Sequence, residues 1–145
     1  MRKEKQRAIT GFGVALLFTL AFAIFAYRSF HTVIVKGVSM YPTFKDGQRV
    51  LVTNAYWLVG PIKVKDILVI ADDNADGYII KRVYKMAGEK VDEVNAPRSW
   101  HLADGPFVVP AGSVYVLGDN RAQSEDSRYF GPVDLNKVLG KAVIR

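Results

Sequence analysis

Tyr78-Ile79-Ile80-Lys81-Arg82-Val83-Tyr84 reads as a β-strand, because β-branched and aromatic residues dominate it and neither glycine nor proline interrupts it. Alternation along a strand places Lys81 on one face with Ile79 and Val83, and turns Arg82 to the other face with Ile80. A lysine among apolar neighbours loses hydration of its ammonium, which lowers its pKa and makes a neutral amine available as a general base. The plain alternative is a lysine whose stem lies on the apolar face while its ammonium reaches solvent. Working outward, similar short runs occupy 32–36, 49–54, 66–71, 90–94, 113–117 and 138–144, with the first run extending over 78–86. Turn formers separate them: Asp46-Gly47, Gly60-Pro61, Asp76-Gly77, Ala87-Gly88, Asp104-Gly105-Pro106 and Pro110-Ala111-Gly112. This pattern, without a long amphipathic helix, predicts a compact all-β, barrel-like domain.

The N-terminal part has a different character. Residues 8–26, AITGFGVALLFTLAFAIFA, carry no charge and lie between Arg7 and Arg28. As a helix, about 19 such residues match the hydrocarbon core of a bilayer. Ala21-Phe22-Ala23 resembles a small-x-small cleavage site, but it lies inside the apolar run, and the run exceeds the apolar core of a secretory leader. A retained transmembrane anchor over 8–27 is therefore expected. Arg2, Lys3, Lys5 and Arg7 against Glu4 hold half of the net charge of +6. That arm, residues 1–7, predicts a cytoplasmic N-terminus and places the domain of residues 28–145 on the extracytoplasmic face. The other charges are interspersed, so no basic groove for nucleic acid is expected. With no cysteine among the 145 residues, disulfides, thiolate metal sites and a thiol nucleophile are excluded.

Two further stretches carry candidate chemistry. Val38-Ser39-Met40-Tyr41-Pro42-Thr43 follows the run at 32–36; proline ends the strand and holds Ser39 on a bend, and Gly37 is expected to admit a second backbone closely. Leu117-Gly118-Asp119-Asn120-Arg121-Ala122-Gln123-Ser124-Glu125-Asp126-Ser127-Arg128-Tyr129-Phe130-Gly131 is richer in hydrogen-bonding side chains than a plain surface loop requires, and can form a network that positions other groups. His31 and His101 leave open a serine triad built on histidine.

Together the three stretches resemble the bacterial type I signal peptidases, membrane-anchored serine endopeptidases with a Ser/Lys dyad, in a minimal single-span form. Ser39-Met40-Tyr41-Pro42-Thr43 is similar to the S-M-x-P-T box of that family and Lys81-Arg82-Val83 to its K-R-V box. Gly118-Asp119-Asn120-Arg121, Ser124, Asp126-Ser127-Arg128 and Gly131 match its G-D-N-R-x-x-S-x-D-S-R-x-x-G box. The resemblance covers nearly the whole chain. It implies Ser39 as nucleophile, Lys81 as general base and Ser124 as the hydroxyl that orients the amine. It also implies Asp126 and Arg128 as supports of that loop, and an Asp119–Arg82 pair. No cofactor or metal is implied.

Departures from the family pattern are local. Lys65 stands where glycine is usual, and Tyr84-Lys85-Met86-Ala87-Gly88-Glu89 replaces I-G-L-P-G-D. Gly37 takes the place of a serine that supplies an oxyanion donor in some larger relatives, leaving the Ser39 backbone N–H as the expected donor. Trp57, in an apolar loop, suits either the core or the membrane interface. The implied partners are signal-peptide-bearing preproteins, bound extended along a strand edge, and the lipid bilayer. Two other readings of the same residues are a peptidase dedicated to one secretion, pilus or conjugation system, and a non-catalytic peptide-binding relative.

Overall fold

The computed structural model describes the backbone of residues 2–72 and 77–143, and side chains from Thr10 onward. Asp76 of the predicted Asp76-Gly77 turn, the end of the last predicted strand and the side chains of the basic arm lie outside those residues. Helix α1 spans Arg2–Ser29. Within it Thr10–Ser29 is long and apolar enough to cross a membrane, and its apolar part is not buried against the rest of the protein. The helix runs two residues past the expected boundary at 27 because its C-terminus is held by the sheet. The Ser29 carbonyl accepts hydrogen bonds from Thr53 Oγ1 at 2.8 Å and from the Asn54 N–H at 3.3 Å, and Arg28 in the last turn complements the helix dipole.

The chain passes from α1 directly into β1 (Phe30–Ile34) and then forms β2 (Arg49–Thr53), a short helix α2 (Tyr56–Val59), β3 (Ile67–Asp72) and β4 (Gly77–Met86). β5 (Ser113–Leu117), helix α3 (Ser127–Phe130), β6 (Val133–Asp134) and β7 (Val138–Ala142) complete it. Among the described residues seven strands form one antiparallel sheet in the order β1-β2-β7-β3-β4-β5-β6. The mainly β domain behind an apolar helix is thus as the sequence pattern predicts. Alternation on β3 and β4 divides the interior. Val69 and Ile80 face one cluster with Val35, Met40 and Phe44; Leu68, Ile70 and Val83 face another with Val114 and Val116.

Two strand assignments differ from expectation. Residues 90–94 form only an isolated bridge between Lys90 and Val108, after which Glu93–Asn95 turns as a 3-10 helix. Here Asp92 accepts hydrogen bonds from Asn95 Nδ2 and from the Tyr84 hydroxyl, a local alternative to ladder pairing. β6, only two residues long, follows Gly131-Pro132 and carries too little pattern to be read in advance.

The order places β2 and β3 on either side of β7, and Gly140 is where they close on it. A Cβ there would lie 2.6 Å from Val52 Cγ1 and 2.9 Å from the Thr53 carbonyl oxygen. Both neighbours belong to a strand, so neither can retreat cheaply. Gly140→Ala is expected to destabilise the domain by about 1–3 kcal/mol through overpacking; a denaturant-unfolding midpoint equal to wild type would contradict this packing.

Candidate active site

Lys81 lies in the middle of β4, opposite Leu68 on β3. Leu68 and Val83 are fully buried, and Lys81 itself is only 4% exposed. Its Nζ donates a hydrogen bond to Ser124 Oγ at 3.1 Å. Burial in this apolar setting lowers the Lys81 pKa below its ordinary value; the Asp126 and Glu125 carboxylates oppose the shift without cancelling it, and Arg128 adds to it. The arrangement favours a neutral amine whose position is set by a hydroxyl.

Ser124 owes its place to the segment that follows β5. The Asp126 carboxylate is fully buried and accepts from the Gly118 N–H at 3.0 Å, from Arg128 Nε and Nη2 at 2.9 Å each, and from the Arg128 N–H at 3.2 Å. Burial alone would raise its pKa, but these bonds, with one from Ser124, outweigh it and hold the carboxyl below its ordinary range. Asp126 also caps α3, and the Ser127 hydroxyl accepts from the Val116 N–H at 2.9 Å. The segment is therefore stitched to β5 at Val116 and to Gly118, the residue just past the end of that strand. Gly118 itself must be glycine: a Cβ would stand 2.1 Å from Ser124 Oγ and 2.7 Å from the Ser39 carbonyl oxygen.

Ser39 stands, half-buried, on a turn closed by Tyr41 N–H to Val38 O at 3.0 Å and Phe44 N–H to Met40 O at 2.9 Å. The Tyr41–Pro42 peptide bond is cis. β1 ends at Ile34 rather than at 36, so several residues of irregular chain precede the serine. Gly37 takes φ +79° there, with nothing within 4 Å of where its Cβ would be. Its requirement is thus the left-handed backbone and not the close approach expected from sequence. The Gly37 N–H donates to Asp46 Oδ1 at 2.7 Å, which commits that donor elsewhere.

The serine turn is fastened to the same post-β5 segment. The Ser39 carbonyl accepts from the Asn120 N–H at 2.9 Å, and the Val38 carbonyl from Asn120 Nδ2 at 3.2 Å. Asp119 Oδ1 accepts from Arg82 Nε at 2.8 Å, and its Oδ2 from Arg82 Nη2 at 2.7 Å and Thr43 Oγ1 at 2.5 Å. Arg82 Nη1 donates to the Lys65 carbonyl at 2.8 Å. Burial would raise the Asp119 pKa, but the bonds from Arg82 and Thr43 prevail and lower it.

Ser39 and Lys81 line one cleft of about 190 Å³, together with Val35, Lys36, Met40, Tyr78, Ile79, Ile80 and Glu125. Neither His31 nor His101 is among its walls; both are exposed, His31 on β1 and His101 in the chain between β4 and β5. Of the residues singled out in the sequence, the structure brings Lys81, Ser124, Asp126 and Arg128 into one network and Arg82 and Asp119 into a second. Sequence reasoning left Gly118, Asn120, Thr43, Glu125 and Tyr78 without individual parts. The first three sit inside the recognised boxes, which was a signal; the placement of Glu125 and Tyr78 had none. Trp57 is 76% exposed and packs its ring against Phe25 of α1, with centroids 5.6 Å apart, so it is not a core residue.

Comparison with known proteins bears on this arrangement. The chain matches the family described as signal peptidase, peptidase S26, over residues 7–98 and 93–145. It is 32% identical over 172 aligned residues to the signal peptidase I of Bacillus caldolyticus, covering 99% of this chain and 92% of that protein. With the signal peptidase I of Bacillus amyloliquefaciens the identity is 30%, covering 95% and 85%, and with signal peptidase IB of Staphylococcus aureus it is 29%, covering 100% and 91%. A crystal structure of a signal peptidase I from Enterococcus faecalis V583 is 25% identical and superposes with a TM-score of 0.44, covering 56% of this chain and 96% of that one. That superposition carries no weight beside the sequence matches. On the family profile and these relatives, which run the length of the chain, it belongs to the signal peptidase, peptidase S26, family of signal-peptide-cleaving serine peptidases.

Proposed function

We propose that Ser39 is the nucleophile of this peptidase and Lys81 its general base. The observation that carries this reading is the buried Lys81 amine, hydrogen-bonded to Ser124 and sharing one cleft with Ser39. The neutral amine takes the Ser39 Oγ proton as Oγ bonds to the scissile carbonyl carbon, and the resulting ammonium returns it to the leaving amine as the peptide C–N bond breaks. Lys81 next deprotonates a water that attacks the acyl-serine ester; breakdown of that adduct releases the new carboxyl end and gives Ser39 its proton back. The Ser39 backbone N–H donates to the oxyanion. Ser124 orients the amine, Asp126 and Arg128 hold Ser124, and Asp119 with Arg82 holds Thr43 and so the turn. The substrate, a preprotein carrying a signal peptide, lies extended between residues 34–36 and β4, its small side chains entering the shallow apolar walls at alternate positions.

The helix at Thr10–Ser29 supports anchorage in a bilayer. We take residues 1–7 as a cytoplasmic arm, 8–27 as the anchor and 28–145 as an extracytoplasmic catalytic domain, since basic residues flank the inner end of spans. Trp57, exposed and packed at a tilt against Phe25 near the C-terminal end of α1, suits the interfacial layer.

Cleavage of a purified preprotein, with the new ends mapped by mass, tests the assignment. Ser39→Ala and Lys81→Ala are expected to lose activity by about 10⁴-fold or more while remaining folded. Ser124→Ala, which removes only an orienting contact, should lose about a hundredfold. Comparable turnover by either dyad variant would end the dyad assignment.

Activity is expected to rise from acid toward mildly alkaline pH as Lys81 loses its proton. Lys81→Arg, unable to deprotonate in this range, should be inactive throughout; activity in that variant would show that residue 81 acts only as a charge and not as the base. Between the lowered pKa of Lys81 in the fold and its ordinary value in the unfolded chain, the unfolded chain binds more protons, so this residue makes stability increase with pH. Lys81→Met should remove that dependence and raise the unfolding midpoint at neutral pH while abolishing cleavage. A lower midpoint would show that the amine stabilises the fold.

Protease added outside intact cells should digest the domain after Arg28. Protection until lysis would invert the proposed orientation.

A further inference from the structure

The proposed substrate cleft has Ser39 at one end, and at the other a side chain spans it. The Tyr78 hydroxyl accepts a hydrogen bond from the Ile34 N–H at 2.9 Å and donates one to the Ile34 carbonyl at 2.9 Å. Tyr78 belongs to β4 and Ile34 to β1, strands that β2, β7 and β3 separate in the sheet order. The contact therefore bridges the seam where the curled sheet brings its β1 edge opposite β4.

The two groups that Tyr78 occupies are the ones an added strand would use. Val35 directs its N–H to the Gln48 carbonyl and its carbonyl to the Gly47 N–H, on the β2 side. By alternation, the backbone groups of Ile34 and Lys36 face the opposite way, into the cleft. On the other bank Val83 pairs with Asp66 and Lys65 on the β3 side, so Ile80 and Tyr78 turn their backbone groups toward the cleft, and β4 pairs with β5 only from Arg82 onward. A peptide laid between these banks would meet Lys36 first and Ile34 next. At Ile34 a phenol already fills the donor and the acceptor.

We propose that Tyr78 is a specificity-determining residue that closes the substrate groove at Ile34, limiting the extended part of the substrate to about five residues on the amino side of the cut. This rests on the strand-edge binding proposed above. The length is an upper bound set by the five-residue step from Ile34 to Ser39: a strand advances about 3.3 Å per residue, and the left-handed bend at Gly37 keeps the intervening chain from spanning more than that. Beyond that point a substrate leaves the groove, so no sequence or extended conformation is demanded of it there. In the absence of substrate the same contact satisfies an edge that would otherwise recruit other strands.

The test uses the full chain in detergent micelles and peptides that share one cleavage site but carry from about three to about nine residues before it. For wild type, kcat/KM should rise with length to about five residues and then stay flat. Tyr78→Phe, which keeps the ring but frees both Ile34 groups, should instead gain about tenfold between five and seven residues, each net backbone hydrogen bond contributing a factor of about two to ten. N-methylating the peptide at the residue that would face Ile34 should cancel that gain in Tyr78→Phe and change nothing in wild type. A wild-type profile that keeps rising past five residues overturns the proposal, as does a Tyr78→Phe profile with the wild-type plateau. A uniform loss at every length would make Tyr78 a structural brace and overturns it too. Should Tyr78→Phe fold poorly, an N-methyl scan on wild type still decides: sensitivity beyond the fifth residue refutes the closure, and tolerance there supports it. Loss of all length dependence, with the cut still at its expected bond, would instead bring down the strand-edge binding mode itself.

Discussion

Everything distinctive about this domain follows from keeping one amine out of water and in one place. Lys81 sits on an apolar strand face opposite Leu68, where an ammonium is poorly solvated, and its hydrogen bond to Ser124 is the contact around which the post-β5 segment is built. That hydroxyl can lie so close to β5 only because residue 118 has no side chain. It stays there because Asp126 gathers hydrogen bonds from Gly118 and Arg128 into a carboxylate shielded from solvent. A buried carboxylate with fewer donors would be a liability, and with these it is a rigid post.

The same segment also reaches the other half of the site. Asn120 takes hold of the backbone at Val38 and Ser39, and Asp119 links Thr43 to Arg82. Lys81 and Arg82, consecutive on β4, thus face opposite sides of the strand, and each meets a carboxylate-centred network from one continuous stretch of chain. One face sets the base, the other sets the turn that bears the serine. Among the described residues no buried side-chain nitrogen or oxygen lacks a partner, so neither network has slack through which a small displacement could be absorbed. Precision at the proposed dyad thereby comes from loops fastened by hydrogen bonds to β4 and β5.

The sheet topology supplies the cleft as well. β1 begins where the apolar helix ends, and the last residue of that helix, Ser29, is tied to the end of β2 through the bonds that Thr53 and Asn54 make with its carbonyl. The edge that lies opposite β4 is therefore also the edge nearest the anchor. Phe25 and Trp57 pack together beside that junction.

Much of this was legible in the residues in order. The uncharged run before Arg28 and the period-two pattern after it are local properties, governed by the length of a span and the alternation of a strand, so helix, sheet and the face occupied by Lys81 could be read directly. The boxes containing Ser39, Lys81 and Ser124 pointed to the family. Elsewhere local pattern misled or fell silent. The run at 90–94 has strand composition, yet Asp92 and Asn95 satisfy one another and turn the chain. Gly37 marks a left-handed bend and not a close approach. Only the folded chain decided which partners meet across long separations: Gly118 against both Ser39 and Ser124, Asn120 against Val38, and Tyr78 across the seam against Ile34. The physical reason is that a strand pattern states which way a side chain points, whereas what it points at depends on strand order and sheet curvature, and these arise from the packing of all seven strands together.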